Sequence, residues 1–428
     1  MLNTIIGLLL LITFFVFIYY ILKGGNLMVG FFVMAILWSV IGMVPFKEAI
    51  ADVFAKPALN YGATIIYIAF GSWFGRVLVD SGIAGSISSQ TQKVGRRSPV
   101  FAAILVCLVT SLIFISAYGV GSVIAIGVIL LPILFSLGVP KAVAVSAFTL
   151  SIGAPMYVNV VLFNQIKVFF PAVDYNFRYL QFGWIATMVQ MLAVICLILL
   201  CSAKIHANIK SGAHDQFAGT QITGIRKVSY WTYVIPLVPV FLNMFFHWDA
   251  VPALIFSTLL AMLMTGEFKS YTHAIEFMNK TISQSIGDIS GLIMFLMALV
   301  MFSAAASKNT SRFGSLFAAI IPHSTLILAL VIGILAPLAL FRGPLHVWGA
   351  GAATAAVLAG THLFSPWFLL PVMYIPSILA VSADVTQSWN IWALNYTKLD
   401  SKPFLKVGVP VIWICSIINE FIAYLFFG

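Results

Sequence analysis

The chain consists largely of apolar runs that approach the length of a membrane span. The runs at 3–22 and 230–246 come close to the roughly 20 apolar residues that cross about 30 Å of hydrocarbon. Only 8% of the 428 residues are charged, whereas an ordinary soluble domain has about 25%. Because no soluble core could bury so much apolar surface, we predict an all-α polytopic membrane protein.

The remaining composition excludes several other classes of protein. The first apolar run lacks the basic region and small-residue cleavage site of a secretory signal, so we interpret it as a mature helix. The four cysteines lie in or beside apolar runs without CxxC or histidine-rich spacing, which predicts packing roles and no metal or disulfide. We attribute the net charge of +10 to cytoplasmic loops and not to nucleic-acid binding. No cofactor is expected.

Hydropathy divides the chain into two halves with the same order of elements. We predict a first transmembrane repeat at 1–201, a cytoplasmic linker at 202–228 and a second transmembrane repeat at 229–428. The predicted helices are 3–22, 27–44, 61–84, 99–115, 121–137, 142–164 and 178–201 in the first half, and 230–247, 250–265, 284–307, 323–341, 345–361, 366–383 and 404–427 in the second.

Two short arms in each half, 99–137 and 323–361, meet at a tip rich in turn residues. Each pair of arms is either a re-entrant hairpin or two full crossings, and the sequence leaves both open. Either choice gives an odd number of crossings per half, five or seven, so the second repeat is predicted to be inverted. Inverted repeats with interrupted helices are a recurring construction of secondary transporters, which bind substrate where the repeats meet.

Loop cations predict the orientation in the membrane. Fourteen of them fall on one side and six on the other, so the positive-inside rule makes the first side cytoplasmic. Both termini are then outside, in a bacterial inner membrane. The larger set is Lys23, Lys93, Arg96, Arg97, Lys141, Lys204, Lys210, Arg226, Lys227, Lys269, Lys280, Lys398, Lys402 and Lys406, and the smaller is Lys47, Lys56, Lys167, Arg178, Lys308 and Arg312.

Breaks in apolar helices point to a binding site, because a membrane tolerates unpaired backbone groups only where protein or water shelters them. We predict breaks at the two tips, at 151–159 and at 377–390. Half-helix N-termini there would offer N–H groups to an anion, with a simple proline kink as the alternative at 151–159. The predicted substrate-binding residues are Ser116, Tyr118, Gly119, Gly121, Ser122, Ser151, Gly153, Asn159, Arg342, Gly343, His346 and Ser382.

Arg342 is the most informative charge in the sequence. In a re-entrant hairpin it lies near the midplane, where an arginine is costly and usually functional, and its guanidinium suits a carboxylate. If the arms cross fully, it is an ordinary loop cation. His346 follows it and is interpreted either as a ligand or proton acceptor for the substrate, or as a helix cap.

Four carboxyl groups within or beside apolar runs are candidates for a coupling proton, since burial disfavours their charged form. We favour Asp384, which follows a predicted break. Asp80 is the second candidate, with a structural pair between it and Arg76 as the alternative. Asp288 and Glu420 are interpreted as interfacial.

Three segments resemble the gluconate permease family of the ion transporter superfamily, with citrate and dicarboxylate carriers as more distant relatives. They are 70–82 (FGSWFGRVLVDSG), the glycine-rich tip at 118–122 and the tip at Arg342 and Gly343, which precedes an alanine-rich helix. The resemblance implies two hairpins and two interrupted helices around an organic anion, with symport driven by protons or sodium. The Ser-Asn-Thr triplet of the citrate and dicarboxylate carriers is missing at both tips, which favours protons.

These observations predict a proton-coupled symporter of a small organic carboxylate such as gluconate or a related sugar acid. A sodium-coupled di- or tricarboxylate transporter is the main alternative, followed by a channel or an integral membrane enzyme. The chain lacks HExxH, GxxxxGK[ST] and GxSxG, which disfavours an enzyme. The expected partners are the organic anion and the bilayer, and the choice between monomer and homodimer stays open.

Overall fold

Helices account for all the regular structure in the part of the chain that is described. The computed structural model describes residues 2–23, 25–86, 98–210, 228–309, 321–349 and 351–428. Within these ranges six helices are long and apolar enough to cross a membrane, or seven if one bent pair is a single span. The prediction of an all-α polytopic membrane protein is therefore confirmed.

The first half begins with two apolar helices and ends with a polar one. Its helices are α1 (Leu2–Leu22), α2 (Leu27–Ile41), α3 (Gly62–Asp80), α4 (Pro99–Phe114), α5 (Val120–Ser136), α6 (Lys141–Gly153), α7 (Val160–Ile166), α8 (Phe177–Leu200) and α9 (Ser202–Lys210).

The second half contains the longest and the most buried helices. Its helices are α10 (Val238–Phe246), α11 (Ala250–Met264), α12 (Tyr271–Lys308), α13 (Thr325–Leu335), α14 (Gly351–Thr361), α15 (Pro366–Ala383), α16 (Ser388–Thr397) and α17 (Ser401–Phe427).

Apolar side chains are found on both the inside and the outside of the bundle. On α1, Phe15 and Val16 are 64% and 61% exposed, as expected for a face in contact with lipid. By contrast, α15 is buried at every position from Phe368 to Ala383. A helix that is apolar all round and buried all round lies at the centre of a bundle, so α15 forms the core against which the site is built.

Several boundaries differ from the sequence prediction, and the helices Ser202–Lys210 and Ser388–Thr397 were not predicted. Residues 46–60, predicted as a loop, are helical with a π-helical stretch at Ala49–Ala55. Its polar residues misled the prediction, because Asp52 and Lys56 lie one turn apart and form an ion pair of 2.7 Å. Helix α12 starts 13 residues before the predicted position 284, and α14 starts at Gly351 and not at 345, because glycine and proline keep 343–349 out of helix.

The four arms are short helices. Helices α4 and α5 have 16 and 17 residues, and α13 and α14 have 11 each. At 1.5 Å per residue these reach about 17–26 Å, which is less than the roughly 30 Å of hydrocarbon. The 3₁₀ segment Ala336–Arg342 extends α13 to an 18-residue run that is long enough to span, so re-entrant and crossing arms both remain predictions.

Part of the predicted linker and of the loop charges lies outside the described residues. The linker is described at α9 and again from 228. The predicted orientation rests on loop cations, and some of these cations are not described, so the orientation stays a prediction. The cations outside the described residues are Lys93, Arg96, Arg97, Arg226, Lys227 and Arg312.

Candidate functional site

The first broken helix bends where the sequence places glycine and proline. The segment Lys141–Tyr157 meets Val160–Phe169 at 70°, and Pro155 removes a backbone donor at the bend. Hydroxyl groups from α8 and α15 take over the freed carbonyls, so protein shelters the break. Thr187 donates to the carbonyl of Ala154 at 3.0 Å, Tyr179 to that of Tyr157 at 2.8 Å and Tyr374 to that of Met156 at 2.6 Å.

Asn159 connects this break to the first tip. Its Oδ1 accepts from the backbone N–H groups of Val161 and Leu162 at 3.0 and 3.3 Å. Its Nδ2 donates to the carbonyls of Phe114 and Ala117, both at 3.1 Å. The N-terminus of α7 is therefore capped by its own chain, and the prediction that N–H groups in 151–159 are left for an anion is wrong for this half-helix.

Asp384 connects the second break to the second tip in a similar way. It is fully buried between α15 and α16. Its Oδ1 accepts from the backbone N–H of Thr386 at 2.8 Å, and its Oδ2 accepts from the Thr386 hydroxyl at 2.8 Å and the Arg342 N–H at 3.3 Å. Three donors stabilise the ionised carboxylate, so the contacts of Asp384 are those of a group that positions the tip.

Arg342 lies at the second tip in an uncommon backbone conformation. Both Phe341 and Arg342 have positive φ, 56° and 60°, which non-glycine residues adopt only when their surroundings enforce it. The guanidinium donates to the carbonyls of Trp348 at 3.3 Å and Thr386 at 3.4 Å. Within the described residues the guanidinium has no direct hydrogen bond to a carboxylate oxygen, although Asp384, which accepts from the backbone N–H of the same residue, interacts with it electrostatically.

His346 lies behind Arg342 and is fully buried. Its Nε2 is 3.3 Å from Nη1 of Arg342, and its Nδ1 faces the backbone N–H of Trp348 at 3.3 Å. A neutral imidazole accepts at one ring nitrogen only, so the ring can accept a hydrogen bond from Trp348 or from Arg342 but not from both. The ring is outside the cavity wall described below, so it supports the arginine and does not face a ligand.

A cavity of about 550 Å³ lies where both tips and both breaks meet. Its walls come from the two tips, from α7, α12 and α16, and from the turn between α1 and α2. About 300–1,000 Å³ is the usual range for small-molecule sites. The polar residues on its wall are Asn26, Tyr118, Gly119, Gln165, Asp288, Arg342, Trp348, Gln387, Ser388 and Trp389.

Two N–H donors on this wall lack a full hydrogen bond among the described residues. Gln165 is 1% exposed and Trp348 is 6% exposed; Nε1 of the indole has no hydrogen-bond partner among the described residues, and Nε2 of the glutamine has none at full hydrogen-bond geometry, with the side chain of Tyr118 nearby. A buried donor without a partner is costly and calls for a ligand or water. Together with Arg342, they give the cavity three side-chain donor groups.

Two helix N-termini also end at the cavity. Helix α5 begins at Val120 and α16 at Ser388, and both residues line the wall. The N-cap residues Gly119 and Gln387 provide no side-chain cap. Uncapped N–H groups at a helix N-terminus attract anions, so the whole arrangement favours a negatively charged group beside Arg342.

Among the described residues Asp288 is the carboxylate on the cavity wall, although the sequence analysis ranked it below Asp384 and Asp80. It lies in the middle of α12, and the wall also includes its neighbour Ile289. Its position at the cavity corrects the interfacial interpretation. The polar residues at 283–290 indicate a site in the sequence itself, because polar side chains inside a long apolar helix need a partner or water.

Asp80 lies outside the cavity wall and is held by two cations. Its Oδ1 is 3.1 Å from Nε of Arg76, and its Oδ2 is 3.4 Å from Nζ of Lys280. This contact is the structural pair that was the alternative to a proton-coupling role.

The predicted substrate residues fall into two groups. Tyr118, Gly119 and Arg342 line the cavity. The others described do not line this wall; they are Ser116, Ser122, Ser151, Gly153, Asn159, Gly343, His346 and Ser382, and for Gly121 only its place in α5 is described.

Gly153 lies where the two broken helices cross. A Cβ atom there would be 1.9 Å from Oγ of Ser382. We expect Gly153→Ala to lower the free energy of unfolding by about 1–3 kcal/mol, the usual cost of overpacking. Adding Ser382→Ala should restore part of the melting temperature measured in detergent, because it removes the closest clashing atom. Equal melting temperatures for Gly153→Ala and wild type would contradict this packing.

A second cavity of about 750 Å³ lies on another side of α7. Gln165 lines the first cavity, whereas Lys167 lines the second, together with Lys56 and Lys308. These three lysines belong to the set predicted to be outside. Tyr61, also on this wall, has a buried hydroxyl without a partner among the described residues.

A search of solved structures finds a protein with a similar fold. The crystal structure of the YdaH transporter from Alcanivorax borkumensis, described as having an unusual topology, matches with a TM-score of 0.59 and 12% sequence identity. The match covers 94% of this chain and 97% of that chain. No protein-family model and no curated protein matches. At this identity the likeness shows the fold alone, so the gluconate permease resemblance stays a prediction, and the chain has the fold of a polytopic membrane protein similar to the YdaH transporter.

Proposed function

We propose that this protein is a secondary transporter that binds a small organic carboxylate in the first cavity. The observation that carries the proposal is the convergence of Arg342, two N–H donors without a full hydrogen bond and two uncapped helix N-termini on one enclosed space. A guanidinium binds a carboxylate through two parallel hydrogen bonds. The likeness of the fold to a transporter supports the same class of function.

The cavity suits a monoanion that carries hydroxyl groups. Arg342 is the cation that the described residues place on its wall, so a second carboxylate would have no matching charge there. Asp288, Asn26 and Gln387 provide acceptor oxygens for ligand hydroxyls. A hydroxylated acid such as gluconate or a related sugar acid fits this cavity, because its carboxylate can face Arg342 and its hydroxyl groups can face the acceptor oxygens.

The two cavities suggest how a substrate crosses the membrane. Tyr61 on the second cavity and Tyr118 on the first are close enough to interact electrostatically. We propose that they belong to the layer that separates the two sides. The first cavity then faces the cytoplasm, since Asn26 follows Lys23 in the chain, and the second faces outward. We also propose that the arms are re-entrant and that the two repeats are inverted, as in secondary transporters that bind substrate near the membrane midplane.

Protons are the coupling ion that we propose, with sodium-coupled uptake of a di- or tricarboxylate as the alternative. Among the described residues no group of three or more His, Cys, Asp or Glu residues is placed to hold a metal ion. Backbone carbonyls also bind sodium, so the gradient experiment below decides between the two ions. A channel would carry solute only down its gradient, and an enzyme would change it covalently.

The substrate class is tested by a thermal-shift screen of the purified protein in detergent. We expect hydroxylated monocarboxylates to raise the melting temperature, because a ligand that binds only the native state stabilises it by mass action. Their amides, which have the same shape without the charge, serve as controls. Equal shifts for acid and amide, or a shift with organic cations only, would contradict a carboxylate site.

Transport and coupling are tested with the best acid in proteoliposomes. An inward proton gradient should drive accumulation, and a sodium gradient at fixed pH should not. Accumulation driven by sodium alone would favour the alternative ion. Flux without accumulation under either gradient would indicate a channel.

A further inference from the structure

Glu420 has a carboxyl group in the protein interior that does not line the first cavity. It lies on α17 and is fully buried. Neither Oε1 nor Oε2 has a hydrogen-bond partner among the described residues. An ionised carboxylate in such a place costs several kcal/mol, so the group holds a proton in this conformation.

The other fully buried carboxyl groups have partners. Of the buried acidic residues in the described ranges, Glu267 is 2.7 Å from Nε2 of His273. Asp384 accepts the three hydrogen bonds described above. Glu420 differs from them because it is buried to the same extent and lacks any donor.

The surroundings of Glu420 connect it to both moving parts of the site. A Cβ atom on Gly333 of α13 would be 3.4 Å from Cβ of Glu420, so the arm and α17 approach closely here. The adjacent Asn419 donates to the hydroxyl of Tyr157 in the first break at 3.2 Å. Helix α13 therefore packs against the base of the Glu420 side chain, and the residue before Glu420 bonds to the first break.

Few charged groups lie on the elements packed against α17. Tyr157 is the neighbour with a resolved electrostatic interaction with Glu420. Arg178 on α8 packs on Phe427 at 5.4 Å from the ring centre, two helical turns along α17. Helix α13 contributes no titratable side chain. The titratable and charged groups on the packed elements are Lys141, Tyr157, Arg178, Tyr179, Cys196, Arg342 and Tyr374, with Lys402, Lys406, Cys415 and Tyr424 on α17 itself.

We propose that Glu420 carries the coupling proton, an inference that rests on the proposed transport function. The proton is bound while α13 covers the carboxyl group. It is released when the second arm pair moves away and water reaches the oxygens. The position lies outside the wall of the substrate cavity, so proton and acid occupy separate sites that the same arm pair controls.

The test compares Glu420→Gln with wild type in proteoliposomes. Glutamine keeps the shape and mimics the protonated side chain, but it cannot release a proton. We expect uphill accumulation driven by a pH gradient to fall at least 10-fold, whereas counterflow persists at a rate that no longer depends on pH. Glu276→Gln on α12 is the matched control, because Glu276 is exposed, and we expect it to accumulate substrate as wild type does. Accumulation by Glu420→Gln at the wild-type level would overturn the assignment.

Two further measurements distinguish a wrong assignment of Glu420 from misfolding of the variant and from a wrong proposed function. Infrared spectroscopy of the purified protein should show a protonated carboxyl band that Glu420→Gln lacks and Glu420→Asp shifts, and this readout needs no transport. An unchanged band in both variants would overturn the assignment. Glu420→Asp, which retains a carboxyl group, should recover gradient-driven accumulation if the glutamine variant folds poorly. Absence of any acid uptake by wild type would instead contradict the proposed function.

Discussion

Arg342→Ala is expected to abolish carboxylate binding and uptake. The guanidinium is the cation that the described residues place on the cavity wall, and it contacts the carbonyl oxygens of Trp348 and Thr386 and Nε2 of His346. Removing one partner of a desolvated, hydrogen-bonded charge pair costs about 2–5 kcal/mol, which weakens binding by about 30-fold or more. Equilibrium binding of the acid found in the screen, measured on purified protein, gives the result directly.

Two variants control for indirect effects of this substitution. Arg178→Ala removes an arginine that packs on Trp367 and Phe427 at 4.9 and 5.4 Å, outside the cavity, so we expect acid affinity to stay within about two-fold. Arg342→Lys keeps the charge without the planar fork and should bind with intermediate affinity. Wild-type affinity in folded Arg342→Ala would remove Arg342 from the site.

Asn159→Ala is expected to destabilise the fold more than any other single change in the first half of the site. The side chain makes four hydrogen bonds to backbone groups of the first tip and of α7. Each buried backbone group left without a partner costs about 1–3 kcal/mol. We expect a loss of about 3 kcal/mol or more in the free energy of unfolding, measured by denaturant titration in detergent.

Asn164→Ala is the matched control on the same half-helix. Asn164 is partly buried and its side chain donates one hydrogen bond, to the carbonyl of Val160 at 2.8 Å. A single hydrogen bond contributes about 1 kcal/mol, so this variant should lose far less stability. Similar losses for the two variants would show that Asn159 does not join the tip to the break.

The sequence predicts the fold well where one physical rule dominates. Apolar length identifies α1, α8 and α17 to within a few residues, because a membrane requires about 20 apolar residues for each crossing. Glycine and proline also predict the break at 154–157, since they remove backbone hydrogen bonds. Segment 46–60 was missed because Asp52 and Lys56 look like loop residues until their pairing is seen.

The sequence predicts where the site lies better than it predicts which side chains face the cavity. The breaks and tips meet at one cavity, but most of their polar residues bind backbone groups instead of facing the cavity. Asn159 and Asp384 are polar because a broken helix needs caps, and no local pattern distinguishes a cap from a ligand. Gln165 and Trp348 were missed because only tertiary packing shows that their N–H groups lack full hydrogen bonds.

A structure of the purified protein with the bound acid tests the carboxylate site most directly. We expect the ligand carboxylate in the first cavity, about 3 Å from the guanidinium of Arg342 and within hydrogen-bond distance of Gln165 Nε2 or Trp348 Nε1. Density for the ligand away from Arg342, or with its carboxylate turned towards Asp288, would contradict the site described above.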